Sequence, residues 1–71
     1  MQIQLIEIGR GKVSRVIEVP DGSTPDQIAQ EIVEEASQHL RSTEISATWD
    51  GQEGIVFAGF HAVGKAKRLR A

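Results

Sequence analysis

Ile55-Val56-Phe57-Ala58-Gly59-Phe60-His61-Ala62-Val63 is apolar on both parities, broken only by one glycine and one histidine. A half-buried strand alternates apolar and polar residues, whereas a run apolar on both parities suits a strand with little of either face in water. The segment reads as one long strand in the middle of a sheet. Gly59 within it marks a bulge or a close approach of a helix. Phe57 falls on the core parity, and Phe60, on the other, is a partly exposed anchor.

Working outward, Asp50-Gly51-Gln52-Glu53-Gly54 supplies turn chemistry. Before it, Ile45, Ala47 and Trp49 alternate with Ser46 and Thr48, so the two segments form a hairpin with Trp49 in the core. After Gly64 the chain becomes Lys65-Ala66-Lys67-Arg68-Leu69-Arg70-Ala71, read as a basic C-terminal tail over 65–71.

Upstream, Thr24-Pro25-Asp26-Gln27 has the signature of a helix start. Thr24 suits the N-cap, Pro25 the first helical position, and Gln27 closes a capping box. Ile28, Ala29, Ile32, Val33, Ala36 and Leu40 recur at helical spacing as one apolar stripe. His39 and Arg41 fall at its carbonyl end, where cations are favoured. The first twenty residues form another hairpin around Gly9-Arg10-Gly11-Lys12. In its first strand Ile3 and Leu5 share a parity and Ile6 and Ile8 the other, so a bulge near Leu5-Ile6 or two covered faces is expected. Val13, Arg15, Ile17 and Val19 share one face of the return strand.

The fold class is therefore α+β, a single ββαββ domain over 1–64. Two hairpins cannot bury a sheet face unaided, so the helix covers it. Joining them through the outermost strands in sequence gives a four-stranded mixed sheet of order 2-1-4-3, with the first and last strands parallel at its centre.

At 71 residues there is room for one domain and one modest core. The absence of cysteine excludes disulfides and thiolate metal sites. No basic leader precedes an apolar run at Met1–Glu7, and no stretch approaches the ~20 apolar residues that cross a bilayer. A cytoplasmic protein without membrane partners is expected. The formal charge of −2 conceals sorting along the chain: Arg10, Lys12 and Arg15 first, then acids from Glu18 to Glu35, then the basic end.

Val16-Ile17-Glu18-Val19-Pro20-Asp21-Gly22-Ser23-Thr24-Pro25-Asp26-Gln27-Ile28-Ala29 resembles the hairpin-to-helix passage of ubiquitin-like β-grasp domains, and the resemblance covers about the first forty residues. It implies a β-grasp-like fold. Sulfur carriers and conjugated ubiquitin-like proteins end in Gly-Gly, whereas this sequence ends Arg70-Ala71, so neither activity is carried over.

No catalytic constellation stands out. His39 and His61 are too few for a metal site, and no cofactor is expected. Asp26, Glu31, Glu34 and Glu35 fall on the solvent side of the helix. Gly9-Arg10-Gly11-Lys12 joins two strands and opens no helix, so it lacks the anion site of a phosphate loop. Two binding roles remain. The first is a non-enzymatic protein-interaction module, pairing with another protein or with itself through an exposed edge strand; an accessory or inhibitory protein of a phage or mobile element is one version, which no residue selects. The second is nucleic-acid binding through Arg10, Lys12, Arg15, Lys65, Lys67, Arg68 and Arg70, abolished by removing residues 65–71.

Overall fold

The computed structural model describes residues 1–40 and 44–69. Arg41 and Arg70, to which the sequence assigned charge roles, lie outside the described residues. Helix α1 spans Pro25–Ser37. Its start is the expected capping box: Gln27 N donates to Thr24 Oγ1 at 3.2 Å, and Thr24 N donates to Gln27 Oε1 at 2.9 Å. Each bond satisfies an amide that the helix geometry leaves without a partner. Ile28, Ile32 and Ala36 of the stripe are buried.

Strands β1 (Gln2–Ile8) and β2 (Val13–Glu18) form the first hairpin, antiparallel, with Ile3 opposite Ile17 and Leu5 opposite Arg15. Their register shifts between Leu5 and Ile8, where Glu7 takes a φ of 54°. The phase change in the apolar pattern is thus a bulge. It returns Ile8 to the face of Ile3 and Leu5, and all three are fully buried.

The second half differs from the expected hairpin. Residues 55–63 are not one strand: β3 (Ile45–Ala47) is followed by β4 (Glu53–Ala58) and then β5 (His61–Leu69). Between β4 and β5 lies a two-residue turn, Gly59-Phe60, with Ala58 paired to His61. Gly59 has a φ of +62°, which a glycine first in a tight hairpin turn adopts without steric cost. Its role is a chain reversal rather than a bulge or a helix approach.

The extra reversal changes the topology. The sheet has five strands in the order β2-β1-β5-β4-β3, and every neighbouring pair is antiparallel. A fifth strand inverts the direction of the last one, so the expected parallel pair at the centre becomes the antiparallel pair β1–β5. The expected four-stranded mixed sheet of order 2-1-4-3 is corrected accordingly. So is the boundary at residue 64: Lys65 to Leu69 form the second half of β5, paired to β1 from Gln2↔Leu69 to Ile6↔Lys65.

The helix covers one face of the sheet. There Ile3, Leu5, Ile8, Val19, Ile28, Ile32, Ala36, Val56 and Ala66 form the core, with Trp49 packed against it. Phe57 stands outside this cluster and is half-buried. A β-carbon at Gly54 would run into the Thr48 carbonyl of the chain leaving β3, so close backbone approach requires glycine there. The β3–β4 turn is fastened by Asp50, whose Oδ1 accepts from Glu53 N at 2.8 Å and Gln52 N at 2.9 Å.

Three outcomes follow from this architecture. Truncation after Gly64 removes the half of β5 that pairs with β1 and should abolish cooperative urea unfolding; a truncated chain melting like the full one would contradict the pairing of β5. Gly54→Ala should lower stability by about 1–3 kcal/mol, the usual cost of overpacking, measured by urea denaturation. The Glu53 and Gln52 amides hold the Asp50 carboxyl below its ordinary value. A group lowered on folding stabilises fully above its unfolded pKa and loses that contribution as pH falls through its folded value. Asp50→Ala should therefore flatten the acid arm of the urea midpoint between about pH 2 and pH 5, leaving its shape at neutral pH unaltered.

Candidate interaction surfaces

Charged side chains collect at the two ends of the sheet and along one edge. At the end holding the β1–β2 loop, Gly9 N donates to Val63 O at 2.9 Å and Lys12 N to Gly9 O at 3.2 Å, tying the loop to β5. The neighbouring β4–β5 turn is held by Gly59 N donating to Glu44 O at 2.8 Å. Arg10, Lys12 and Lys65 line one open depression of about 1220 Å³ there, with Glu7 the carboxylate in its wall. Phe60 at the turn tip has a relative exposure of 102%. The sequence suggested a partly exposed Phe60; it is wholly in solvent.

The opposite end is internally compensated. The Met1 amino group lies 3.0 Å from Asp21 Oδ1 and 3.3 Å from Glu18 Oε1. Hydrogen bonding to Asp21 raises the pKa of that amine, and the same bond, aided by the charge of Arg68, lowers Asp21. Lys67 sits directly across from Glu53, and Arg68 N donates to Gln52 O at 2.8 Å.

The seven cations singled out in the sequence are thus not one patch. Arg10, Lys12 and Lys65 come together at the loop end, while Lys67 and Arg68 lie at the other end. Arg15 is exposed on the edge strand β2, on the helix-facing parity opposite Leu5. Arg70 lies outside the described residues.

The third surface is the outer edge of β2. Met1 and Val19 exchange both backbone bonds, Val19 N to Met1 O at 2.8 Å and Met1 N to Val19 O at 2.9 Å. Pairing alternates along an antiparallel ladder, so Ile17 and Arg15 also face β1 with their backbone groups. Those of Val16 and Glu18 therefore point away from the sheet. Val16 is 54% exposed. Beside this edge runs a shallow groove of about 380 Å³ between β2 and α1, walled by Ile17, Glu18, Glu31, Glu34 and Glu35. Glu31, Glu34 and Glu35 are on the solvated side of the helix, as their spacing predicts, and stand beside an open strand edge, which helical spacing does not reveal. Glu35 Oε2 also meets His39 Nε2 at 3.2 Å, just past the helix end.

Among the described residues no charged or polar side chain is buried, no three His, Asp or Glu side chains converge as metal ligands, and no helix is long and apolar enough to cross a membrane. Comparisons with protein-family models, curated proteins and solved structures find no match to this chain.

Proposed function

We propose that this protein is a non-catalytic protein-interaction module that takes an extended, basic segment of another protein onto the edge of β2. The observation that carries the reading is the coincidence of an open strand edge with an acid-walled groove. The outward backbone groups of Val16 and Glu18 offer the hydrogen bonds of one further strand. Glu31 and Glu34 on α1 lie beside that strand and complement Lys or Arg side chains on its inner parity, while Glu18, on the outer parity with Val16, is engaged by the Met1 amino group. Val16, on the outer parity, adds an apolar contact for an aliphatic residue opposite it.

The other edge is a poor competitor. β3 has only three residues, Ile45–Ala47, and α1 packs beside it. A non-catalytic role is supported by the position of the polar side chains: among the described residues none is buried, so none is enclosed in a dry pocket. The likeness to ubiquitin-like domains is part of this proposal for the hairpin and helix of the first forty residues alone.

The test uses peptides selected by display against the intact chain and mapped by backbone amide shifts. Perturbations should cluster at residues 14–18 and 31–38, and the selected sequences should be rich in Lys and Arg. Glu31→Lys combined with Glu34→Lys should weaken binding about tenfold, the loss of roughly 1.4 kcal/mol expected for mispaired interfacial charge. Val16→Pro removes an outward N–H without breaking the β1 ladder and should abolish binding while the fold remains. Shifts confined to another surface would sink the reading. A concentration-dependent dimer dissolved by Val16→Pro would assign the edge to a second copy of the chain instead.

A further inference from the structure

We propose that the loop end of the sheet binds single-stranded nucleic acid, with Phe60 stacking on a base and Arg10, Lys12 and Lys65 contacting phosphates. This surface is separate from the β2 edge, and neither proposal depends on the other.

Phe60 has no packing role to explain it. Its relative exposure of 102% places the whole ring in water, where a core residue gains nothing. The turn beneath it is narrow and fixed: Ala58 pairs with His61 across it, and Gly59 N donates to Glu44 O at 2.8 Å. A ring on so short a turn loses little backbone freedom when a flat partner stacks on it. Bases of any sequence present such a face.

The cations near it distinguish this end from the other. Arg10 and Lys12 occupy the adjoining loop, which Gly9 N ties to Val63 O at 2.9 Å, and Lys65 follows two residues later on β5. All three line the same depression, where Glu7 is the opposing carboxylate. Among the described residues none forms an ion pair with the side chain of Arg10, Lys12 or Lys65. Lys67 faces Glu53 across the strands, and Arg68 acts on Asp21, so the cations of the far end are partly neutralised. Three cations thus stand at the end of the sheet that carries the exposed ring, with the carboxylates of Glu7 and Glu44 beside them. That pairing of features is what a strand of unstacked bases on a phosphate backbone requires. A lipid surface fits less well, because Phe60 is flanked by Gly59 and His61 and brings no second large apolar side chain to the tip.

The experiment is fluorescence anisotropy of the intact chain with labelled oligo-dT and oligo-U of about twelve nucleotides, within the range of single-strand site sizes. Binding should weaken roughly twentyfold between about 50 and 200 mM salt, the slope of some three phosphate contacts. Phe60→Leu keeps an apolar side chain but removes the π-face and should weaken binding about tenfold, whereas Phe60→Trp should preserve it. Arg10→Gln with Lys12→Asn should flatten the salt dependence; asparagine at position 12 tolerates the φ of 48° found there. Lys67→Gln with Arg68→Gln should leave binding unchanged. Phe60 and Arg10 are exposed, and melting curves of each variant verify that the fold is retained. The proposal is overturned by no binding at the lowest salt, by equal affinity of wild type and Phe60→Leu, by loss confined to the Lys67/Arg68 variant, or by capture on phosphatidylserine vesicles but not on oligonucleotides.

Discussion

The pairing of β1 with β5 holds the two halves of this chain together, and most of the other features follow from it. It joins Gln2 to Leu69 and Ile6 to Lys65, residues near opposite ends of the sequence. Without it the chain would be a hairpin with a helix and a separate meander, each with too little apolar surface to stand alone. The entropy of closing so long a loop grows only logarithmically, so doubling its length costs about 0.6 kcal/mol more. A few buried side chains suffice to offset that difference. Ile3, Leu5 and Ala66, which meet on the inner face of this pairing, are all buried.

Occupying the centre of a one-sided sheet also explains the composition of β5. Two of its inward positions, Gly64 and Ala66, are small, and the third, Arg68, lies opposite Ile3 near the end of the strand. Ala66 lies opposite Leu5, and Gly64 lies against Ile8, whose Cα would be 3.3 Å from a β-carbon placed there. The bulge that returns Ile8 to the core therefore depends on glycine at position 64. The outward positions, Lys65 and Lys67, face water on the uncovered side and carry charge without desolvation. The result is a strand whose outward lysines serve different ends of the sheet, Lys65 the loop end and Lys67 the end it shares with Arg68.

This composition is also why half of the fold was legible in the sequence and half was not. Thr24 and Gln27 announced the helix start because capping is a local interaction with a local spacing. The change of phase after Leu5 narrowed the choice to a bulge or two covered faces, because Ile3, Leu5 and Ile8 are large enough to show which face they want; the register shift there decides for the bulge. In β5 the same alternation has almost no hydrophobic amplitude, since its inward residues Gly64, Ala66 and Arg68 include no large apolar side chain, and Lys65–Arg70 looks like a solvated tail. The Gly59-Phe60 turn was hidden for a related reason. It contains none of the Asn, Asp or Pro that usually mark a reversal, and it sits between two apolar stretches whose continuity imitates one strand. Missing that reversal misplaced the candidate site as well. It kept Lys65 with Lys67 and Arg68 in one tail, although they serve opposite ends of the sheet, and left Phe60 on a strand rather than at a tip.

The two borders of the sheet are unequal: β2 offers six residues and β3 three, with α1 packed beside the shorter one. Fibrous growth by strand stacking requires a receptive border on both sides of every subunit, so that each addition regenerates the site for the next. Here whatever joins at β2 finds no equivalent template across the molecule. A three-residue border beside a helix is a poor template for strand addition, so the sheet is blunted against growth on one of its two sides.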